Sequence, residues 1–513
     1  MRNPFAAARD VRPSASTGGS SFEGAGHGRF PMDWALASIR SADQEVRYDL
    51  RTLRANSREL VRNNDLASRY VNLVDEQAIG HEGIRLQATV RRPNGLMDIG
   101  INHRIEDAWA EWCEPENCTL DGRNGFVDVL SHIAQGVPKD GEFLCQMLPW
   151  EGNRFGFALH LLDPDQLEAE HNREAGTGRA QIRMGVEVNP AGRPLRYHVW
   201  DSHPTEYSGR GRQLRALPAE QVIHLYRQNR IAQTRGVPWM HPALQKLQML
   251  SGYEEAELVA SRVAAAKGGW FTSTPEGTNP ADPNSPAVAQ QFSFEIEPGV
   301  FDRLPIGWGF KEWDPQHPTT AFPDFHKAMV RGIANGLNVA YTSLANDLEG
   351  VNFSSIRAGL LNERDAWRKL QNWIIRHFCR RVYREWLRWS LTTGALDLPE
   401  RNVTRWHRHR WQPRGWPWVD PVKDATAAAM EVRLGVNSRT RIAAERGRDL
   451  EEVFSDLVAE EQLAAQLGLV LSTDVSRAGG SDSADDDDDD TPTGKPPAAN
   501  RIAQLASTNG RHP

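Results

Sequence analysis

Cysteine is scarce: four residues, Cys113, Cys118, Cys145 and Cys379, in 513. That is too few for a disulfide framework, and it fits a reducing compartment. Cys113 and Cys118 have no second Cys or His pair at ligand spacing close behind them, so they read as ordinary cysteines and not as half of a zinc site. Long apolar runs are also missing. No stretch approaches the 18 or so residues of a membrane span, and the N-terminus lacks the apolar core of a secretion signal. The motifs that carry common chemistry are absent too. There is no G-x-x-x-x-G-K-[ST] to cradle phosphates, no H-E-x-x-H for zinc and no G-x-S-x-G elbow for a nucleophilic serine. No enzyme activity, cofactor, metal site or membrane partner is expected.

Charge is present but unevenly placed. The net charge is −7. Residues 471–513 hold eight Asp against four Lys and Arg, giving −4, which leaves −3 for the first 470 residues. A nearly neutral body does not grip nucleic acid over its whole surface, although it can touch it locally. The tail, with Asp485 to Asp490 in one run, reads as solubilising and disordered. Residues 1–31 are rich in Gly, Ser, Ala and Arg and read as a flexible arm.

Between these ends the pattern predicts an α+β protein. Leu50, Leu53, Leu60, Leu66, Tyr70, Leu73 and Val74 give a helical stripe within 32–79, ended by Gly80 and Gly83. Short segments of mixed pattern, 84–90 and 143–148, flank a helix over 102–112. Strand signals with Gly, Pro and Asn turns fill 155–225. Residues 241–267 predict a helix of roughly 40 Å, stopped by Gly268 and Gly269. A proline-rich excursion with a strand-like 291–296 follows, then a second helix over 320–337 and a polar loop over 341–353. Ser354 is placed as the N-cap of the longest helix, 354–390, roughly 55 Å if straight. Its apolar stripe is Ile356, Leu360, Trp367, Leu370, Ile374, Phe378, Val382 and Trp386. Asp420 with Pro421 opens a further helix that Gly435 stops. Ser438 opens one that Gly447 stops, and Asp449 with Glu452 opens one that Gly468 stops.

Two basic features admit a bland and a sharp reading. Residues 401–418 hold five Arg and Trp406, Trp411, Trp416 and Trp418 with no acid. Such interleaving can stack on bases and neutralise phosphates, but the favoured reading is tryptophan anchors with arginine stacked on them. The arginine-rich face of 376–388 reads as a solvated or subunit-facing surface. His407 and His409, two apart, would share one side of a strand, a conceivable metal pair that lacks a neighbouring acid.

Three segments, met in this order, resemble the lambda-type portal family of tailed bacteriophages. They are Glu220-Gln-Val-Ile-His-Leu-Tyr with Arg235-Gly-Val-Pro-Trp and the helix from Tyr253-Glu-Glu-Ala-Glu; Asp347-Leu-Glu-Gly-Val-Asn-Phe-Ser-Ser-Ile-Arg; and Trp416-Pro-Trp-Val-Asp-Pro. Trp109-Ala-Glu-Trp-Cys with Asp121-Gly is a weaker fourth. Phe353 stands where the family often has Tyr.

The resemblance implies a ring of about twelve copies at one capsid vertex of the virion. It implies a wing domain over 32–240, a stem helix over 241–267, a clip over 268–318 and a second stem helix over 319–340. A tunnel loop over 341–353, a long helix returning to the wing over 354–419 and a helical crown over 420–470 complete it. The implied partners are the large terminase subunit, the major capsid protein, a head–tail connector and double-stranded DNA in the channel. The expected channel wall is Leu344, Ala345, Asn346, Asp347, Leu348, Glu349, Gly350, Val351 and Asn352. The loop holds Asp347 and Glu349 and no Lys or Arg. In a ring its carboxylates, roughly two dozen, would repel phosphates. Leu344, Leu348 and Val351 would press on the duplex. The competing readings are a connector or tail-tube subunit that never meets a packaging motor, and a metal-dependent nuclease using scattered carboxylates.

Overall fold

The computed structural model describes residues 40–206, 212–265, 269–273, 308–312, 322–349, 353–399, 403–417 and 420–469. The arm, the acidic tail and the strand-like 291–296 lie outside them. The chain divides into two compact units, Met1–Asp449 and Leu450–Pro513. The described part of the second is one helix, Leu450–Leu467, followed by Gly468 in the left-handed region at φ +67.

The first helical stripe forms two helices, Ala42–Asn63 and Asp65–Ala78. Ser41 caps the first through a reciprocal pair with Gln44, Oγ and Oε1 each accepting a backbone N–H at 3.2 Å. The break falls at Asn64, whose extended backbone ends one helix while its side chain caps the next at Ala67. Strand β1 is Arg85–Ala88, and the helix Ile99–Cys113 follows. A helix not read from the sequence, Phe126–Asp140, comes next. It contains Pro138 and ends on Gly141 at φ +87.

Strands β2 (Glu142–Pro149), β3 (Phe157–Leu162) and β8 (Val222–Tyr226) form an antiparallel sheet with β2 central. Strands β4 (Gln181–Arg183), β5 (Val186–Val188), β6 (Pro194–Trp200) and β7 (Leu214–Pro218) form a second antiparallel sheet. Because side chains alternate along a strand, β2 serves two cores. Phe143, Cys145 and Met147 face the large helical core, and Leu144 joins Leu162, Val186, Val188, Tyr197 and Val199 in the smaller one.

Glu142, the first residue of β2, starts on the smaller-core side and is fully buried. It is the acceptor of a charged hub. Arg235 donates Nε to its carboxylate at 3.0 Å, Arg54 donates at 2.8 Å, and His224 and the Gly236 N–H each make a 3.0 Å bond. Arg235 also donates to the carbonyls of Leu167 and Met184. Burial alone would raise the Glu142 carboxyl, but the Arg235 and Arg54 guanidiniums outweigh it and hold it well below the usual carboxylate range. Burial keeps His224 below the ordinary histidine value despite its carboxylate partner. A Cβ on Gly236 would collide with the Gly141 carbonyl, so the chain after Arg235 passes against that helix end with no room for a side chain.

Helix Leu244–Ala265 leads to β9 (Gly269–Ser273), which pairs antiparallel with β10 (Trp308–Glu312). Helix Phe322–Leu337 returns. The long helix starts at Phe353, not after a cap at Ser354, so Ser354 lies inside its first turn. It continues to Thr393 through a π turn at Ile375–Cys379. The strict four-residue apolar stripe explains the π turn. In an α-helix four residues overshoot a full turn by about 40°. A wider turn takes up that excess and brings Ile374, Phe378, Val382 and Trp386 all to buried positions.

That buried face meets Trp109, Trp112 and Phe126 in an aromatic cluster, with Trp109 to Trp386 at 5.0 Å and Trp109 to Trp112 at 4.9 Å between ring centroids. Strand β11 (His409–Gln412) pairs with β1 across the same cluster. Helices Pro421–Arg433 and Arg439–Glu445 follow, capped by Asp420 and Ser438 as expected. All four cysteines are free thiols.

Candidate functional site: the loop between the two long helices

The loop expected to face a channel begins where helix Phe322–Leu337 ends. Asn338 takes a left-handed turn at φ +58, and Tyr341–Ala345 forms a short helix where an open loop was expected. Asn346, again left-handed at φ +52, ends it. The chain therefore runs back along the helix it has just left.

This return fixes Asp347. Its carboxylate accepts from the Tyr341 hydroxyl at 2.7 Å and from the Glu349 N–H at 2.9 Å, and it pairs with Lys327 Nζ at 3.1 Å. Those donors, the Tyr341 hydroxyl first, bring its pKa down to about 2. Lys327 also lies 3.7 Å from Glu349. The loop carries no cation of its own, but the preceding helix supplies one, and two carboxylates meet one ammonium. Sequence spacing held a signal for this pair, since Lys327 and Asp347 stand equally far from Leu337, where the chain turns back. Glu363 of the long helix braces the base of the loop, accepting from Ser343 Oγ at 2.6 Å.

The apolar residues separate. Leu344 is 2% exposed and packs in the main core, so it is unable to press on anything outside the subunit. Leu348 is 61% exposed. Gly350, Val351 and Asn352 lie outside the described residues. Ala345, Asn346, Asp347, Leu348 and Glu349 remain as the accessible stretch.

The other candidates resolve into structure. Trp406 is fully buried with Arg405 over its ring at 4.9 Å. Trp416 donates to Gln77 at 2.8 Å beneath Arg368 at 5.7 Å. Trp411 joins the aromatic cluster. Trp418 lies outside the described residues. His407 sits in a turn before β11 and its carbonyl accepts from His409 Nδ1 at 2.6 Å, so the two do not share a strand face. Among the described residues one trio, Asp163, Asp165 and His203, has ligand-like spacing. Asp165 is already paired with Arg54 at 2.5 Å and Arg58 at 2.6 Å, and Asp163 with Arg58 at 3.1 Å, which leaves a cation little to gain. No helix among the described residues is long and apolar enough to cross a membrane.

The described residues define a mixed helical and sheet protein with a braced acidic loop, and no catalytic constellation is recognised among them. The profile of "Phage portal protein, lambda family" matches residues 27–371. The "Probable portal protein" of Halomonas phage phiHAP-1 is 32% identical over 432 residues, 83% of this chain and 83% of that one. "Portal protein B" of Escherichia phage lambda is 22% identical over 488 residues, covering 87% and 90%. The chain therefore belongs to the lambda family of phage portal proteins, and its part in DNA packaging follows from that membership. A solved structure, "Neck of empty GTA particle computed with C6 symmetry", is similar over 83% of this chain and 94% of its own, at 14% identity and a TM-score of 0.42.

Proposed function

We propose that the chain is one subunit of a closed ring of about twelve copies, set at one vertex of the capsid, whose central channel admits double-stranded DNA during packaging and releases it on ejection. The observation that carries the ring is apolar surface on long helices. Met249, Leu258 and Val259 are exposed on Leu244–Ala265, and helices Pro421–Arg433 and Arg439–Glu445 bury no residue at all. Phe454, Leu457, Val458, Leu463 and Leu467 are exposed on Leu450–Leu467. Exposed apolar side chains are costly in water, a cost relieved when copies pack side by side.

In this reading Leu244–Ala265 and Phe322–Leu337 are the stem helices, with the β9–β10 pair at the base of the clip where the large terminase subunit docks and a head–tail connector later replaces it. Wing residues face the major capsid protein. The loop Ala345–Glu349, continuing to Asn352, faces the duplex. Its charge suits a surface that DNA slides past, because arginine rings would hold phosphates in a salt-dependent grip. Native mass spectrometry and negative-stain images of the purified protein test the ring. A holed particle of about a dozen copies is expected, and a monomer at every concentration and salt would refute it. Capture of the large terminase subunit by that particle separates this reading from a connector that never meets the motor.

A further inference from the structure

The geometry points to a second DNA contact, outside the channel loop: the exposed row Arg376, Arg380, Arg384 and Arg388 on the long helix, which binds the phosphate backbone of double-stranded DNA. The four arginines are all exposed and stand one turn apart, about 6 Å along the axis at each step. They alternate with the buried stripe Ile374, Phe378, Val382 and Trp386, offset by two residues and so on the opposite side. The π turn that keeps the apolar stripe pointing inward keeps this row pointing outward.

The row is largely uncompensated. Arg388 lies 3.4 Å from Glu385, and among the described residues Arg376, Arg380 and Arg384 have no carboxylate partner. Like charges held this close repel one another, an arrangement that a polyanion relieves. The positive field reaches the histidines behind it. Burial lowers His407 and His409 first, and Arg384 lowers both further.

The kind of polyanion follows from the stretch of chain that carries the row. Among the described residues between Leu361 and Val422 no large apolar side chain is exposed. A protein partner would lack the apolar anchors that carry most binding energy at interfaces. The described tryptophans nearby are buried or half-buried, with Trp386 and Trp406 fully so, and offer no open face for stacking unpaired bases. Rigid guanidiniums without aromatic platforms match a duplex backbone, read through charge alone.

A covalently closed circular plasmid tests this, because it is unable to thread a ring and so reports only contacts outside the channel. The intact protein is expected to retard the circle at low salt. Log affinity should fall with log salt at a slope of up to about −3.6 for four phosphate contacts. Arg380→Glu with Arg384→Glu should weaken retardation at least ten-fold and flatten the slope by about 1.8, with the native oligomer unchanged by mass spectrometry. Arg380→Lys with Arg384→Lys should keep most of the binding. Three results overturn the proposal: no retardation at low salt, equal retardation by the double Glu variant, or loss of the oligomer in that variant with DNA binding retained, which would make the row a contact between copies.

Discussion

Glu142 is fully buried between two guanidiniums, so its removal leaves two cations without a counter-charge. Glu142→Gln is expected to cost about 3–5 kcal/mol, the usual penalty for breaking a buried pair, measured by chemical denaturation; a loss below about 1 kcal/mol would mean that the hub relaxes freely. The same group sets the acid limit. A carboxyl depressed in the folded state gives stability that is present above its unfolded pKa, about 4.3, and is lost as pH falls through the folded value. Asp165, held low by Arg54 and Arg58 against its burial, has the same sign. Asp140, raised by burial, has the opposite one. With Glu142, Asp165 and Asp347 depressed against Asp140 raised, and with His224, His407 and His409 held below the ordinary histidine value so that the unfolded chain takes up their protons first, the denaturation midpoint should begin to fall below about pH 6.5 and fall more steeply below about pH 4. Arg235 was visible in the sequence as part of a family motif, but its role was not, because Glu142 stands 93 residues away. Local pattern shows that a residue is special; only the fold shows what it holds.

At the scale of elements, periodicity served well where one face is buried along a whole helix. It gave Leu244–Ala265, Phe322–Leu337 and the capped helices from Asp420 to within a few residues. It failed where the signal was mixed. Phe126–Asp140 carries a proline, and the helix within 32–79 breaks at Asn64, a residue whose cap role is invisible until the fold turns there. The connection over 341–353 was read as one polar loop, without its short helix, its buried Leu344 or its cation from Lys327. Those findings sharpen the test of the loop. Asp347 is tied to three donors, so altering it disturbs local structure, whereas Glu349 is 88% exposed at the side chain and holds only the longer 3.7 Å pair with Lys327. Glu349→Lys should leave the ring intact and slow DNA passage at low salt, with the defect easing as salt screens the new attraction. Packaging at the normal rate at low salt would show that this loop faces something other than DNA.

The unit Met1–Asp449 has a well-packed core, and among its described residues Met249, Leu258, Val259, Val422 and Met430 are exposed apolar side chains on helices. The acidic tail has no composition from which a core could form, so truncation after residue 470 should leave oligomer mass per copy reduced only by the tail. A truncated protein that fails to assemble would assign the tail a part in the ring. The long helix from Phe353 to Thr393 has a mechanical consequence. A π turn replaces the regular hydrogen-bond ladder at Ile375–Cys379 with longer-range, less common pairings. Such a turn is expected to let the helix yield near its middle, even though Ile375, Phe378 and Cys379 are buried. Hydrogen exchange should find the amides of 375–379 opening faster than those one turn to either side. Strain arriving at one end of the rod would then be absorbed at this joint before it reached the other.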